Sequence, residues 1–190
     1  MRKIDPNKPL PHIHHREIVA QSKLFRVESL DLEFSNGEKR QFERMAGGNR
    51  GAVMIVPMYD KDTLVLIREY AAGVERYELA LPKGKIDGEE SILEAANREL
   101  KEEVGFGAEQ LEPLKKVSMA PSYFNATMHI LFAQGLYPQT LEGDEPEPLV
   151  VVKWPLTQWQ SLLQQDDFTE ARSVAALLLL MKRIDSESGE

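Results

Sequence analysis

The stretch GKIDGEESILEAANRELKEEVGF, residues 84–106, decides the reading of this chain. It places Glu99, Glu102 and Glu103 within five positions of one predicted helix, between a Gly-rich turn and Gly105. At about 100° per residue, Leu93, Ala96, Leu100 and Val104 form one apolar stripe. Glu99 and Glu103 border that stripe, and Glu102 projects from the same neighbouring face, while Glu94 and Lys101 point away. The spacing therefore predicts partly buried carboxylates at 99 and 103. Like charges so placed cost a helix roughly 0.2–0.5 kcal/mol per pair in water, and burial enlarges the repulsion. A hard divalent cation removes it, and Mg2+ binds in this way, through one or two carboxylates plus substrate phosphate and water. The flanks also fit a helix. Ser91 and Glu94 spell a capping box, Gly105 suits a left-handed C-terminal cap, and Glu94 and Arg98 are spaced as an i, i+4 pair.

The complete spacing is Gly84, five residues, Glu90, seven residues, Arg98-Glu99-Leu100, one residue, Glu102-Glu103, one residue, Gly105 and the apolar Phe106. Every fixed position of the Nudix box is filled, so the sequence resembles the Nudix hydrolase family. The segments LFRVESLDLEFSNG (24–37), AVMIVP (52–57), IREY (67–70), MAPSYF (119–124) and LEGDEPEP (141–148) extend the likeness to the ADP-ribose-hydrolysing branch. The resemblance implies an α/β fold, the Nudix α/β/α sandwich with a mixed sheet. It implies Mg2+, or Mn2+, held by Glu99, Glu102, Glu103 and the carbonyl of Lys83. Arg98 would orient the glutamates and Glu90 would hold the loop–helix–loop together. By the same likeness the acidic loop supplies Glu145 as general base and Glu147 as an added metal ligand. Pro146 and Pro148 stiffen that loop. Arg44 and Arg68 are candidates for diphosphate or ribose contacts because a guanidinium fork matches phosphate oxygens. Arg50 and Glu78 are weaker candidates, and Phe25 is placed to stack on adenine.

Composition sets the outer bounds. At 190 residues and 42% hydrophobic content, the chain is expected to hold one domain, or one domain with a small appendage. A net charge of −8 is the wrong sign for broad nucleic-acid binding or an anionic membrane surface. The first residues have no apolar run of a signal peptide, and the longest apolar run, 174–181, is too short to span a bilayer. With no cysteine, disulfides and thiol nucleophiles are excluded, which agrees with a cytoplasmic protein.

Along the chain, residues 1–14, with three prolines, read as a flexible tail, and His12, His14 and the adjacent His15 are expected to be solvated. Residues 15–46 read as an antiparallel β ribbon turning at Ser35-Asn36-Gly37, and 47–190 as the Nudix domain. The resemblance implies that the ribbon packs on a second copy, making a homodimer whose partner helps line the adenine site. Strands are expected at 53–59, 63–68 and 77–81 before the box, and near 114–120, 129–134 and 150–154 after it. A short helix fits 156–164. A last helix fits 170–182, with Ala171, Val174, Leu178 and Met181 as its apolar face and Leu177 close by.

The expected activity is metal-dependent hydrolysis of the pyrophosphate bond in small-molecule ADP compounds: ADP-ribose to AMP and ribose 5-phosphate, and also NADH and short diadenosine polyphosphates. Two alternatives remain. One is a silent Nudix-fold sensor of ADP-ribose or NAD metabolites, which such folds become by losing box glutamates. The other is a pyrophosphohydrolase of RNA 5′ ends or damaged nucleotides, which the net charge and the ribbon disfavour.

Overall fold

A computed structural model of the chain describes residues 8–47 and 50–188. The chain divides into two compact units, Met1–Asn49 with Ser118–Ala126, and Arg50–Val117 with Thr127–Glu190.

The smaller unit is a three-stranded antiparallel sheet in the order β1-β2-β3, from β1 (His12–Gln21), β2 (Arg26–Glu33) and β3 (Lys39–Met45). Gly37 makes the expected turn with φ +82°, a backbone shape that a side chain disfavours. Of the expected tail, residues 1–7 lie outside the described residues, and His12–His14 belong to β1. His14 is held by Glu33, with Nε2 2.7 Å from Oε2. Register shifts between Ile13 and His15 and between Ile18 and Ala20 break the strand's two-residue period. This explains why alternation does not mark its start. A second departure is the segment 118–126, which closes on this unit. The Met45 N–H donates to Tyr123 O at 2.7 Å, and the Asn125 N–H to Met45 O at 3.1 Å.

The larger unit carries a mixed sheet of seven strands. Its strands are β4 (Ala52–Asp60), β5 (Thr63–Ala71), β6 (Arg76–Ala80), β7 (Lys83–Lys85), β8 (Phe106–Ser118), β9 (Thr127–Pro138) and β10 (Val150–Pro155). Five of them lie in the order β10-β5-β4-β9-β8, with the other two, β6 and β7, paired at its side. β4 runs parallel to β9 and meets β5 only at its far end, Met58 opposite Leu64 and Asp60 opposite Thr63. Beyond that point the two strands take different partners: β7 pairs with Ala52–Met54, and β6 with Ile67–Ala71. Residues 53–58 of β4 are buried without alternation because both faces of the sheet are covered.

One face packs α1 (Ile92–Glu103), setting Val53, Ile55, Val65, Ile67, Leu131 and Ala133 against Ala95, Ala96 and Leu100. The other face carries α3 (Ala171–Ser188), which packs on β4. The expected short helix is a 3-10 turn over Leu156–Gln158 followed by α2 (Trp159–Leu162). The result is the expected α/β/α sandwich with an N-terminal antiparallel sheet. Among the described residues no helix is long and apolar enough to cross a membrane.

Two helix faces differ from expectation. On α1, Leu93 is 45% exposed, while Ala95 is buried. Leu93 lies on the first turn and lines an open hollow with Asn97 and Ala108. On α3 the buried face is Ser173, Ala176, Leu177 and Leu180, and Leu178 is 46% exposed. The uninterrupted apolar run has no polar position to reveal its phase. Ser173 sets it instead: its Oγ accepts the Leu81 N–H at 3.1 Å and donates to Glu170 Oε2 at 3.0 Å.

Candidate active site

α1 is fixed at both ends by its own sequence. Ser91 and Glu94 form the capping box, Ser91 N–H to Glu94 Oε2 at 2.7 Å and Glu94 N–H to Ser91 Oγ at 3.2 Å. Gly105 takes φ +75° just past the end. Glu94 is thus committed to the cap and does not pair with Arg98 as its spacing suggested.

Arg98 instead gathers the box. Its fork grips both oxygens of Glu90, Nε to Oε2 at 3.1 Å and Nη2 to Oε1 at 2.9 Å. Nη1 donates to Glu99 Oε1 at 2.8 Å and to Glu102 Oε2 at 2.7 Å, and Nη2 also reaches the carbonyl of Lys85 at 2.9 Å. Glu90 accepts the Asp87 N–H at 2.6 Å, tying the loop before the helix into the same knot. The hydrogen bond from Arg98 is the main reason that Glu90 stays below the ordinary carboxylate range.

Glu99 and Glu103 are buried charged residues, 8% and 7% exposed. Burial raises Glu99 to about 7, with Glu102 and Glu145 adding repulsion and Arg98 opposing it. Burial raises Glu103 to about 8, with Glu99 and Glu69 adding to it and Lys83 opposing. The Lys83 N–H donates to Glu103 Oε2 at 2.8 Å, while Lys83 Nζ is drawn to Glu69 Oε2 at 2.7 Å. A Cβ on Gly84 would overlap the Glu99 carboxyl group, so only glycine leaves room for that side chain on β7.

These groups share one cavity of about 990 Å3, lined by Lys83, Arg98, Glu99, Glu102, Glu103 and Glu145 among others. The 142–146 loop forms one wall. Gly143 comes close to Glu102, and the Glu145 carboxylate folds over Gly143 so tightly that a Cβ there would overlap it. Among the described residues no three His, Asp or Glu side chains converge as they stand on one ion position. Arg98 holds one oxygen each of Glu99 and Glu102. The donor chemistry nevertheless fits a hard divalent cation: several carboxylates on one rigid helix, two of them buried and short of compensating charge.

The other sequence-predicted residues fall elsewhere. Glu147 does not line this cavity. It accepts a hydrogen bond from the Tyr77 hydroxyl in an adjoining hollow of about 380 Å3 that also contains Arg68, Tyr70 and Glu145. Arg68 is paired with Asp167 at 2.6 Å. Arg50 is paired with the exposed Glu89 at 3.0 Å. Glu78 is buried, with both oxygens engaged by Arg76 and Thr169. In the smaller unit, Arg44 is paired with Glu28 at 2.7 Å and Phe25 is 53% exposed. Sequence reasoning missed Glu69 and Tyr77. Glu69 lies in the IREY segment but no spacing singles it out, and both residues acquire their partners only through the fold.

Comparisons with known proteins agree with this architecture. The NUDIX domain family matches residues 48–178, and the NudE-type Nudix hydrolase N-terminal domain matches residues 11–44. The ADP compounds hydrolase NudE of Escherichia coli is 63% identical over 170 residues, covering 90% of this chain and 91% of that protein. The ADP-sugar pyrophosphatase of Mus musculus is 26% identical over 210 residues, covering 97% of this chain and 93% of that protein. A crystal structure of an ADP compounds hydrolase superposes with a TM-score of 0.90 at 58% identity, covering 96% of this chain and 98% of that one. With the complete box, the capped helix and the sandwich that presents it, the chain belongs to the Nudix hydrolase family.

Proposed function

We propose that the protein hydrolyses the pyrophosphate bond of ADP-linked compounds, turning ADP-ribose and water into AMP and ribose 5-phosphate, with NADH and short diadenosine polyphosphates as further substrates. The observation that carries this reading is the shared cavity of Lys83, Glu99, Glu102, Glu103 and Glu145. Full-length similarity to an ADP compounds hydrolase supports the ADP moiety.

Nudix hydrolases are generally dependent on a divalent metal. In this protein Glu99, Glu102, Glu103 and the Lys83 carbonyl would hold it, as Mg2+ or Mn2+. Glu147, the added ligand that the resemblance implies, is engaged by Tyr77 and does not line the cavity as it stands. When bound, the metal offsets the charge of the diphosphate and makes water easier to deprotonate. The chain's own residues do the rest. Arg98 aims Glu99 and Glu102, the Lys83 N–H aims Glu103, and the Glu145 carboxylate takes the proton of the water attacking phosphorus, a contribution of about 10²–10⁴-fold. Arg68, which lines the adjoining hollow with Glu145, would meet the far part of the substrate. Arg50, Arg44 and Phe25 remain candidates for substrate contact, with the N-terminal sheet as the surface on which two copies form a homodimer. The cytoplasm, where ADP compounds are metabolised, is the proposed location.

The test is incubation of the purified protein with ADP-ribose and Mg2+, with an EDTA control and separation of products. AMP plus ribose 5-phosphate, abolished by EDTA, is the expected outcome. A folded protein that binds ADP-ribose without cleaving it would replace this reading with the sensor.

A further inference from the structure

The loop that carries Glu145 makes few hydrogen bonds to the rest of the protein. The Leu141 N–H donates to Lys101 O at 3.0 Å, and β10 begins at Val150. Between them, among the described residues, the one hydrogen bond that residues 142–149 make is from the Tyr77 hydroxyl to Glu147 Oε1, while Leu149 at the loop's end packs partly buried against the core. Tyr77 stands on β6, whose register with β5 is fixed by Tyr70 opposite Tyr77 and Glu69 opposite Glu78. Its ring is braced edge-on by Tyr70, with centroids 5.6 Å apart. The hydroxyl is therefore held by a paired strand and a second ring, and it meets a carboxylate two residues beyond Glu145. The intervening Pro146 fixes its own φ and restricts Glu145, so little freedom separates the tie from the base. A phenol hydroxyl donating to a carboxylate oxygen is among the stronger kinds of hydrogen bond.

We infer that Tyr77 is a positioning residue for the reaction: by holding Glu147 it sets the 142–148 loop so that the Glu145 carboxylate faces the glutamates of α1. The role assigned to Glu145 rests on the proposed hydrolysis, but the tether itself does not. Tyr77 touches neither the reacting atoms nor the metal site, and its contribution passes through the placement of Glu145.

The experiment compares wild type with Tyr77→Phe, Glu147→Ala and the double variant, using ADP-ribose turnover and hydrogen–deuterium exchange over residues 142–149. Tyr77→Phe keeps the ring and removes only the donor. It is expected to lower kcat about ten-fold, the scale of one hydrogen bond to a charged group. KM and Tm should stay near wild type, and loop exchange should accelerate. The double variant should lose no more than Glu147→Ala alone, because both changes cut one tie. Unchanged loop exchange in Tyr77→Phe would overturn the inference even if the wild type had no turnover. So would an equal rise in KM, or losses that multiply in the double variant. Absence of wild-type turnover with faster loop exchange in Tyr77→Phe would overturn the proposed hydrolysis and leave the tether standing.

Discussion

The backbone N–H of Lys83 lies 2.8 Å from Glu103 Oε2, so a buried carboxylate of α1 is aimed by the main chain of β7 and not by a mobile cation. Gln at position 103 can still accept that hydrogen bond through its amide oxygen, but it removes a negative charge. Glu103→Gln should therefore keep the fold, with a metal-free Tm equal to or above wild type. It should lose about 10³-fold in kcat/KM, the scale of several kcal/mol of transition-state charge stabilisation. Thermal melts beside steady-state kinetics check both halves. A large loss of Tm would mean that the charge itself supports the fold.

Glu99 at about 7 and Glu103 at about 8 both lie above the ordinary value of 4.5. The folded state therefore binds more protons than the unfolded state from roughly pH 4.5 upward, and metal-free stability falls as pH rises through 7 and 8. The two carboxylates together make that fall on the order of a few kcal/mol. A divalent cation binds the deprotonated forms and competes with those protons. In melts with and without Mg2+, the metal-induced rise in Tm should be small at pH 6 and larger at pH 8.5. An equal rise at both pH values would separate metal binding from these carboxylates.

Arg98 serves Glu90, Glu99, Glu102 and the Lys85 carbonyl at once through a planar fork. Lysine keeps the charge but offers one point of contact. Arg98→Lys should destabilise the protein by about 2 kcal/mol by leaving carboxylate oxygens poorly paired. It should weaken Mg2+ activation, since Glu99 and Glu102 lose their aim. Chemical denaturation and a Mg2+ titration of activity measure the two effects. Wild-type values in both would show that the spacing of the helix alone suffices.

Much of this was legible in the sequence because local chemistry dictates it. Ser91, Glu94 and Gly105 are read by neighbours within a turn, so the helix start and end are fixed before any packing. The burial of Glu99 and Glu103 follows from their position beside Leu100 on one helix face. What stayed hidden depends on partners far along the chain. Leu93 lost its place in the core to Ala95, and the phase of α3 was set by Ser173 meeting Leu81. The pairing of Tyr77 with Glu147 spans 70 positions, and that of Arg68 with Asp167 spans 99. Arg98 meets Glu99 and Glu102 as expected, but its spaced pair with Glu94 does not form, because capping has already claimed Glu94.

Gly84 sets up a test in which stability and activity should separate. A Cβ there would meet the Glu99 carboxyl group, the far end of a side chain that can rotate, and not a fixed backbone atom. Gly84→Ala should therefore cost little stability, within about 1 kcal/mol, because β7 keeps its antiparallel pairing with Val53 and alanine is easily held in a strand. The displaced Glu99 carboxyl would leave Arg98 Nη1 and move away from Glu102 and Glu103. Activity at limiting Mg2+ should then fall about ten-fold or more, the effect of a single misdirected ligand worth 1.4 kcal/mol, and excess Mg2+ should recover part of it. If Gly84→Ala melts like wild type and also turns over like wild type at every Mg2+ concentration, Glu99 does not act from its position against Gly84.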